Sequence, residues 1–140
     1  MDLTAHTDGA SRGNPGPAAF GYTIEKDGVV IEEYSEYIGK ATNNIAEYKA
    51  FLSVMKRMKA LGATKVAIFS DSELAVRQIN GLYRVKNAGL LPLHAEIMEL
   101  ANEFHSFRVI HVRREMNSLA DKLANKALDE QKKRNLKDEG

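Results

Sequence analysis

Asp8, Glu47, Asp71 and Asp121 are four acidic residues that each fall at or near the end of an expected strand or helix. Carboxylates brought together with no cation between them repel, so a convergent set needs positive charge to hold it. Oxygen ligands of this kind suit hard divalent ions such as Mg²⁺ or Mn²⁺. Two such ions about 4 Å apart, flanking a scissile phosphate, are an arrangement that supports phosphoryl chemistry.

Taken singly, each acid also has a structural role open to it. Asp8 leaves a short strand, Leu3–Thr7, and enters the turn Gly9-Ala10-Ser11-Arg12-Gly13-Asn14-Pro15-Gly16-Pro17, where an Asp can serve the backbone. Glu47 lies three residues after Asn44, the spacing of a capping box if Asn44 starts a helix. It also lies four residues before Phe51, which turns its side chain toward the apolar face of that helix. A carboxylate pointing inward there requires a partner charge or a metal.

Asp71 follows the apolar run Val66–Phe69 and precedes a helix that it could cap. Its strand is also expected to run beside and parallel to the one ending in Asp8, which leaves the two strand ends about 5 Å apart. Ligands of open α/β sheets sit outside such ends. Asp121 falls in the first turn of the last helix, after an Asn117 cap, where an acid favours the helix dipole. At about 100° per residue, Asp121 lies only ~20° beyond the arc of Leu119, Leu123, Ala124, Ala127 and Leu128, so it can face the sheet across a groove.

The elements that must position these acids follow from the chain's periodicity. After the first strand, Ala18–Lys26 alternates and ends at Asp27-Gly28, a strong hairpin signal, and Val29–Ile38 forms a third strand. From Asn44 to Leu61, Phe51, Val54, Met55, Met58 and Leu61 recur at helical spacing, and Gly62 stops the helix. A buried strand over 64–70, a helix from about Ser72 to Gly81, an irregular basic segment over 82–89, a helix from Pro92 to about Phe104, a strand over Phe107–Val112 and a last helix complete the order. The expectation is an α/β fold: a five-stranded mixed sheet flanked by helices, with strands 1–3 antiparallel and strands 1, 4 and 5 parallel. Residues 1–134 make one domain and residues 135–140 a polar C-terminal tail.

Composition sets the outer bounds. The 140 residues are 44% hydrophobic and 28% charged, which is globular. No apolar run reaches the length of a membrane span, and Met1-Asp2-Leu3-Thr4 lacks the regions of a signal peptide, so a cytoplasmic protein is expected. With no cysteine, disulfides and thiolate metal sites are excluded. The net charge of +1 hides basic groups at Arg77, Arg84 and Lys86, at Arg108, Arg113 and Arg114, and at Lys132-Lys133-Arg134. They permit a polyanion partner without demanding one.

Four segments together resemble ribonuclease H type 1: Thr7–Pro17, Thr42-Asn43-Asn44-Ile45-Ala46-Glu47, Ser70-Asp71-Ser72 and the Asn117–Ala127 helix. They occur in order and span residues 3 to 130; the first is highly specific and the last is weak alone. The resemblance implies a ribonuclease H-like fold and hydrolysis of the RNA strand of RNA–DNA hybrids by two metal ions, Mg²⁺ or Mn²⁺, leaving 5′-phosphate and 3′-hydroxyl ends. It carries the metal-binding acids onto Asp8, Glu47, Asp71 and Asp121. Substrate contacts carry over to Gly9, Asn14, Thr42, Asn43 and Asn44, around RNA 2′-hydroxyls and DNA phosphates. An asparagine offers both donor and acceptor to the 2′-OH that distinguishes RNA from DNA.

The chain departs from the family pattern in three places. Asn80–Gly89 offers only Arg84 and Lys86 where many members carry a basic protrusion. No His lies between Val112 and Asp121, so Arg114 is the candidate cation there, with a plain surface Arg as the alternative. Nothing resembles the separate N-terminal hybrid-binding module of some members. His6 and His111 read as packed or edge histidines rather than ligands. The compact form is similar to the archaeal-type branch, which suggests activity on double-stranded RNA as well. A monomer is expected. The alternatives are a catalytically weak hybrid-binding module on the same fold, or another phosphoryl transferase that fold alone does not exclude.

Overall fold

The structure is a computed structural model that describes residues 1–139. Its strands are β1 (Asp2–Ser11), β2 (Gly16–Lys26), β3 (Val29–Ala41), β4 (Lys65–Ser70) and β5 (Ser106–His111). Its helices are α1 (Asn43–Ala60), α2 (Glu73–Ile79), α3 (Leu91–Ala101) and α4 (Ser118–Glu139), with a 3-10 turn at Arg114–Met116 before α4. The strands form one sheet in the order β3-β2-β1-β4-β5. β1, β2 and β3 pair antiparallel, while β1–β4 and β4–β5 pair parallel. The expected mixed sheet is the one that forms.

The β2–β3 hairpin turns at Asp27 (φ 51°) and Gly28 (φ 79°), two consecutive left-handed residues whose twist matches the flanking strands. β1 is longer than its apolar pattern suggests. Asp8 to Ser11 stay in the strand, paired from Asp8↔Gly21 to Ser11↔Ala18, so the turn begins only at Arg12. Gly9 and Ala10 mask this extension, because small residues carry little β signal.

Successive strand residues face opposite sides of the sheet, and two glycines show what covers each side. A Cβ on Gly9 would lie 2.9 Å from Ala46 Cβ and collide with the α1 backbone. A Cβ on Gly21, the partner of Asp8, would lie 2.6 Å from Leu123 Cβ and 2.7 Å from the Ala124 nitrogen of α4. Thus α1 lies on one face and α4 on the other, and each is close enough to the sheet to exclude a methyl group. The α1 face carries the main core: Leu3, Ala5, Phe20, Tyr22 and Ile24 meet Phe51, Val54, Met55 and Met58. Full burial of each large apolar side chain there contributes about 1.5–3 kcal/mol. Ala19 packs against Ala127 and Leu128 on the α4 face.

Two helix starts differ from expectation. The N-cap of α1 is Thr42, whose hydroxyl oxygen accepts from the Ile45 N–H at 3.2 Å, rather than Asn44. Glu47 therefore stands beyond the capping-box position and is released from that duty. The N-cap of α2 is Ser72, accepting from the Ala75 N–H at 3.3 Å, which frees Asp71 in the same way. Positions 135–139, set apart above as a tail, continue α4. No Gly or Pro interrupts that stretch, and Gln131 donates to Asn135 one turn on at 3.0 Å. Gly140, the last residue of the expected tail, lies outside the described residues.

Candidate active site

The β1–β4 ladder ends at Thr7↔Ser70, and the next residue on each strand is an acid, Asp8 and Asp71. Beyond that edge the chains diverge: β1 continues along β2, while β4 gives way to the start of α2. Gly9 lets the first turns of α1 approach β1 closely, which brings Glu47 over the strand from the opposite face. One carboxylate oxygen from each of Asp8, Glu47 and Asp71 lies within 4.8 Å of the other two.

Asp121, on the α4 face with Asp8, shares a hydrogen bond with it. It lines the same cleft but stands outside the tight group of three. The cleft encloses about 450 Å³ and is also bordered by Gly9, Asn43, Arg114 and Asn125.

Burial and mutual charge dominate the electrostatics. Asp8 is 5% exposed and Glu47 is 2% exposed. Desolvation, followed by the charges of Glu47 and Asp71 and a hydrogen bond with Asp121, raises the Asp8 carboxyl far above the usual carboxylate range. Glu47 is raised as well, chiefly by burial and then by Asp71, with hydrogen bonds to Asp8 and the Gly9 backbone opposing the shift. In addition, Glu47 Oε2 is buried without a hydrogen-bond partner among the described residues. A buried carboxylate oxygen with no donor, beside two more acids, fits a divalent cation as the missing partner. The donor set is all oxygen, as hard ions require.

Of the substrate-contact candidates, Gly9 and Asn43 border the cleft, whereas Thr42, Asn44 and Asn14 are not among its walls. Thr42 is committed to capping α1. Asn14 is tied to the site indirectly, because its Oδ1 accepts from the Asn43 N–H at 3.0 Å. That N–H is one of the free donors at the start of α1, so the turn after β1 and the helix start are held as a unit. Ser11 Oγ, donating to the Ala41 carbonyl at 2.8 Å, closes the same corner.

Arg114 borders the cleft from the 3-10 turn. His6 is a packed histidine, stacked on Phe69 with ring centroids 4.9 Å apart and hydrogen-bonded through Nδ1 to Glu25. His111 is exposed at the end of β5.

Two side-chain roles near the acids escaped the sequence reading. Asn125 Nδ2 donates to the Asp121 carbonyl at 3.0 Å, and its Oδ1 accepts from Arg12 at 3.4 Å. Its position, one helical turn after Asp121, is a signal that could have found it. Asn117 occupies the expected cap position, but its side chain leaves the helix and donates to the Thr7 carbonyl at 2.8 Å. No spacing rule exposes a bond across 110 residues.

A mixed five-stranded sheet in this order, with acids from β1, α1, β4 and α4 gathered at one edge, defines the ribonuclease H-like class of proteins. Comparison with known proteins narrows this. A family model described as reverse transcriptase-like matches residues 6–127. The crystal structure of RNase H1 from the archaeon Halobacterium salinarum superposes with a TM-score of 0.90 at 37% identity, covering 93% of this chain and 99% of that one. LC11-RNase H1, solved in complex with an RNA/DNA hybrid, gives a TM-score of 0.88 at 38% identity, with 92% and 98% covered. A bifunctional protein of Mycobacterium tuberculosis is 40% identical over 131 residues, which are 92% of this chain and 36% of that protein. The chain therefore spans only about a third of the length of that relative. It belongs to the ribonuclease H type 1 family.

Proposed function

We propose that this chain is a metal-dependent endonuclease that hydrolyses the RNA strand of RNA–DNA hybrids, leaving 5′-phosphate and 3′-hydroxyl ends. The observation that carries the reading is the buried convergence of Asp8, Glu47 and Asp71, with an unpartnered Glu47 oxygen among them. A pure binding module gains nothing from desolvated acids beside phosphates, because they repel the ligand. The relative LC11-RNase H1, solved with an RNA/DNA hybrid, supports the choice of substrate.

In this reading Asp8, Glu47, Asp71 and Asp121 hold two divalent ions, Mg²⁺ or Mn²⁺. Bound there, such ions lower the pKa of an attacking water and stabilise the departing 3′-oxygen. The chain itself supplies placement. The ladder end sets the spacing of Asp8 and Asp71, and the close approach at Gly9 delivers Glu47. Arg114 sets a permanent cation at the cleft wall, suited to a phosphate oxygen and unable to act as a base. Asn43 and Gly9 meet the hybrid backbone at the cleft. Asn14 uses its carbonyl oxygen internally and presents its amide N–H groups to the substrate, with Thr42 and Asn44 flanking. The unit is a monomer with a single domain that includes α4. Its compact form also favours cleavage of double-stranded RNA.

One labelled sequence presented as hybrid, double-stranded RNA and double-stranded DNA, with Mg²⁺, Mn²⁺ or EDTA, tests this. The expected result is metal-dependent cutting of RNA in the hybrid, some cutting of double-stranded RNA and none of DNA. A folded, metal-replete protein that binds hybrid without cutting it would instead be a hybrid-binding module.

A further inference from the structure

Asp8 and Asp121 come from elements 113 positions apart, and the residue that joins those elements is not an acid. Asn117 is 1% exposed, and its Nδ2–H donates to the Thr7 carbonyl oxygen at 2.8 Å. That carbonyl and the Asp8 N–H belong to one planar peptide unit, so a bond that orients the carbonyl orients the chain as it enters Asp8. The bond is made where the parallel ladder stops, at Thr7↔Ser70, where the sheet no longer constrains β1 on its β4 side. Through its own main chain Asn117 also holds the second acid, its carbonyl accepting from the Asp121 N–H at 3.2 Å.

An Asn immediately before a helix ordinarily folds its side-chain oxygen onto the first free N–H groups. Asn117 does otherwise, and its Oδ1 has no partner among the described residues. The helix forgoes an end bond so that its first turn is tethered to the strand bearing Asp8.

We infer that Asn117 is a positioning residue for the metal-binding acids: it fixes the place of Asp121 relative to Asp8. This rests on reading the cleft as a divalent-metal site. A neutral amide suits the task, since a Lys or Arg in its place would pair with the acids and compete with the ions. Small displacements of such ligands matter, because productive geometry tolerates only about 0.5 Å.

The test compares Asn117→Ala and the near-isosteric Asn117→Asp with Asn80→Ala. Asn80 makes the same kind of bond, from Nδ2 to the Val109 carbonyl at 3.1 Å, away from the cleft. Calorimetric titration with Mn²⁺ alone gives metal affinity without substrate, and steady-state cleavage gives kcat and KM. Both Asn117 variants should fold, bind Mn²⁺ about 10- to 100-fold more weakly and lose kcat comparably, with KM for hybrid within about twofold. Asn80→Ala should lose thermal stability and keep wild-type metal affinity.

Asn117 variants with unchanged metal affinity, or with a loss matched by Asn80→Ala, would overturn the inference. So would failure of both to fold, which assigns Asn117 to the fold rather than to the site. Wild-type protein that binds no divalent ion is a separate result, and it would remove the proposed function instead.

Discussion

Asp8 and Asp71 occupy equivalent places on two neighbouring parallel strands, each one residue past the last ladder pair, Thr7↔Ser70. Their spacing is therefore set by the inter-strand distance of the sheet, about 5 Å, rather than by flexible side chains. The proposed metal site would use a dimension that every parallel sheet provides, with the pair as the rigid base to which Glu47 and Asp121 are added.

Replacing either acid separates its chemical role from its structural one. Asp8→Asn or Asp71→Asn should abolish cleavage while the fold persists. Each relieves the cost of holding one more acid in a crowded, partly desolvated cluster, so Tm in EDTA at about pH 8 should rise by about 3–8 °C, or roughly 1–2 kcal/mol. Calorimetry and the hybrid assay check both halves. Near wild-type turnover in either variant would refute the site.

Stability of the metal-free protein should depend on pH in a direction set by the raised carboxyls. Asp8 and Glu47 keep protons in the folded state at pH values where the unfolded chain has lost them. Between about pH 4 and their raised values the folded state binds more protons, so stability falls as pH rises. In EDTA, Tm should be higher at about pH 5 than at about pH 8. Added Mg²⁺ should restore stability at the higher pH, and Asp8→Asn should flatten the profile. A Tm that climbs from the lower pH to the higher one contradicts this assignment.

Arg114 borders the cleft as a fixed cation. Arg114→Ala should lower kcat by about 100- to 1,000-fold, the scale of removing one electrostatic stabiliser, while hybrid affinity changes by less than about threefold. Single-turnover cleavage and equilibrium binding separate the two. If neither changes, Arg114 is a surface residue.

Gly21 lies beneath α4 with no room for a side chain. Gly21→Ala would set a methyl group 2.6 Å from Leu123 Cβ and 2.7 Å from the Ala124 nitrogen. Displacing α4 should cost about 1–3 kcal/mol of stability. Because Asp121 rides on that helix, activity should fall in folded protein as well. Denaturant titration paired with the cleavage assay reads both, and a variant as stable as wild type would show that α4 can lift without strain.

The element order and the mixed sheet were legible in the sequence, because they follow from local periodicity and from the handedness of crossovers. Phe51, Val54, Met55 and Met58 announce α1, and the run 64–70 followed by Asp71 announces a parallel strand end. Which acids were free to act was less legible. Spacing alone allowed Glu47 a capping box and Asp71 an N-cap; Thr42 and Ser72 take those roles instead. Only the packed chain shows that Gly9 admits α1, that Gly21 admits α4, and that Asn117 turns away from its own helix to hold Thr7. Local pattern is written in residues a few positions apart, whereas a contact across 110 positions exists only once the sheet has closed the intervening loops.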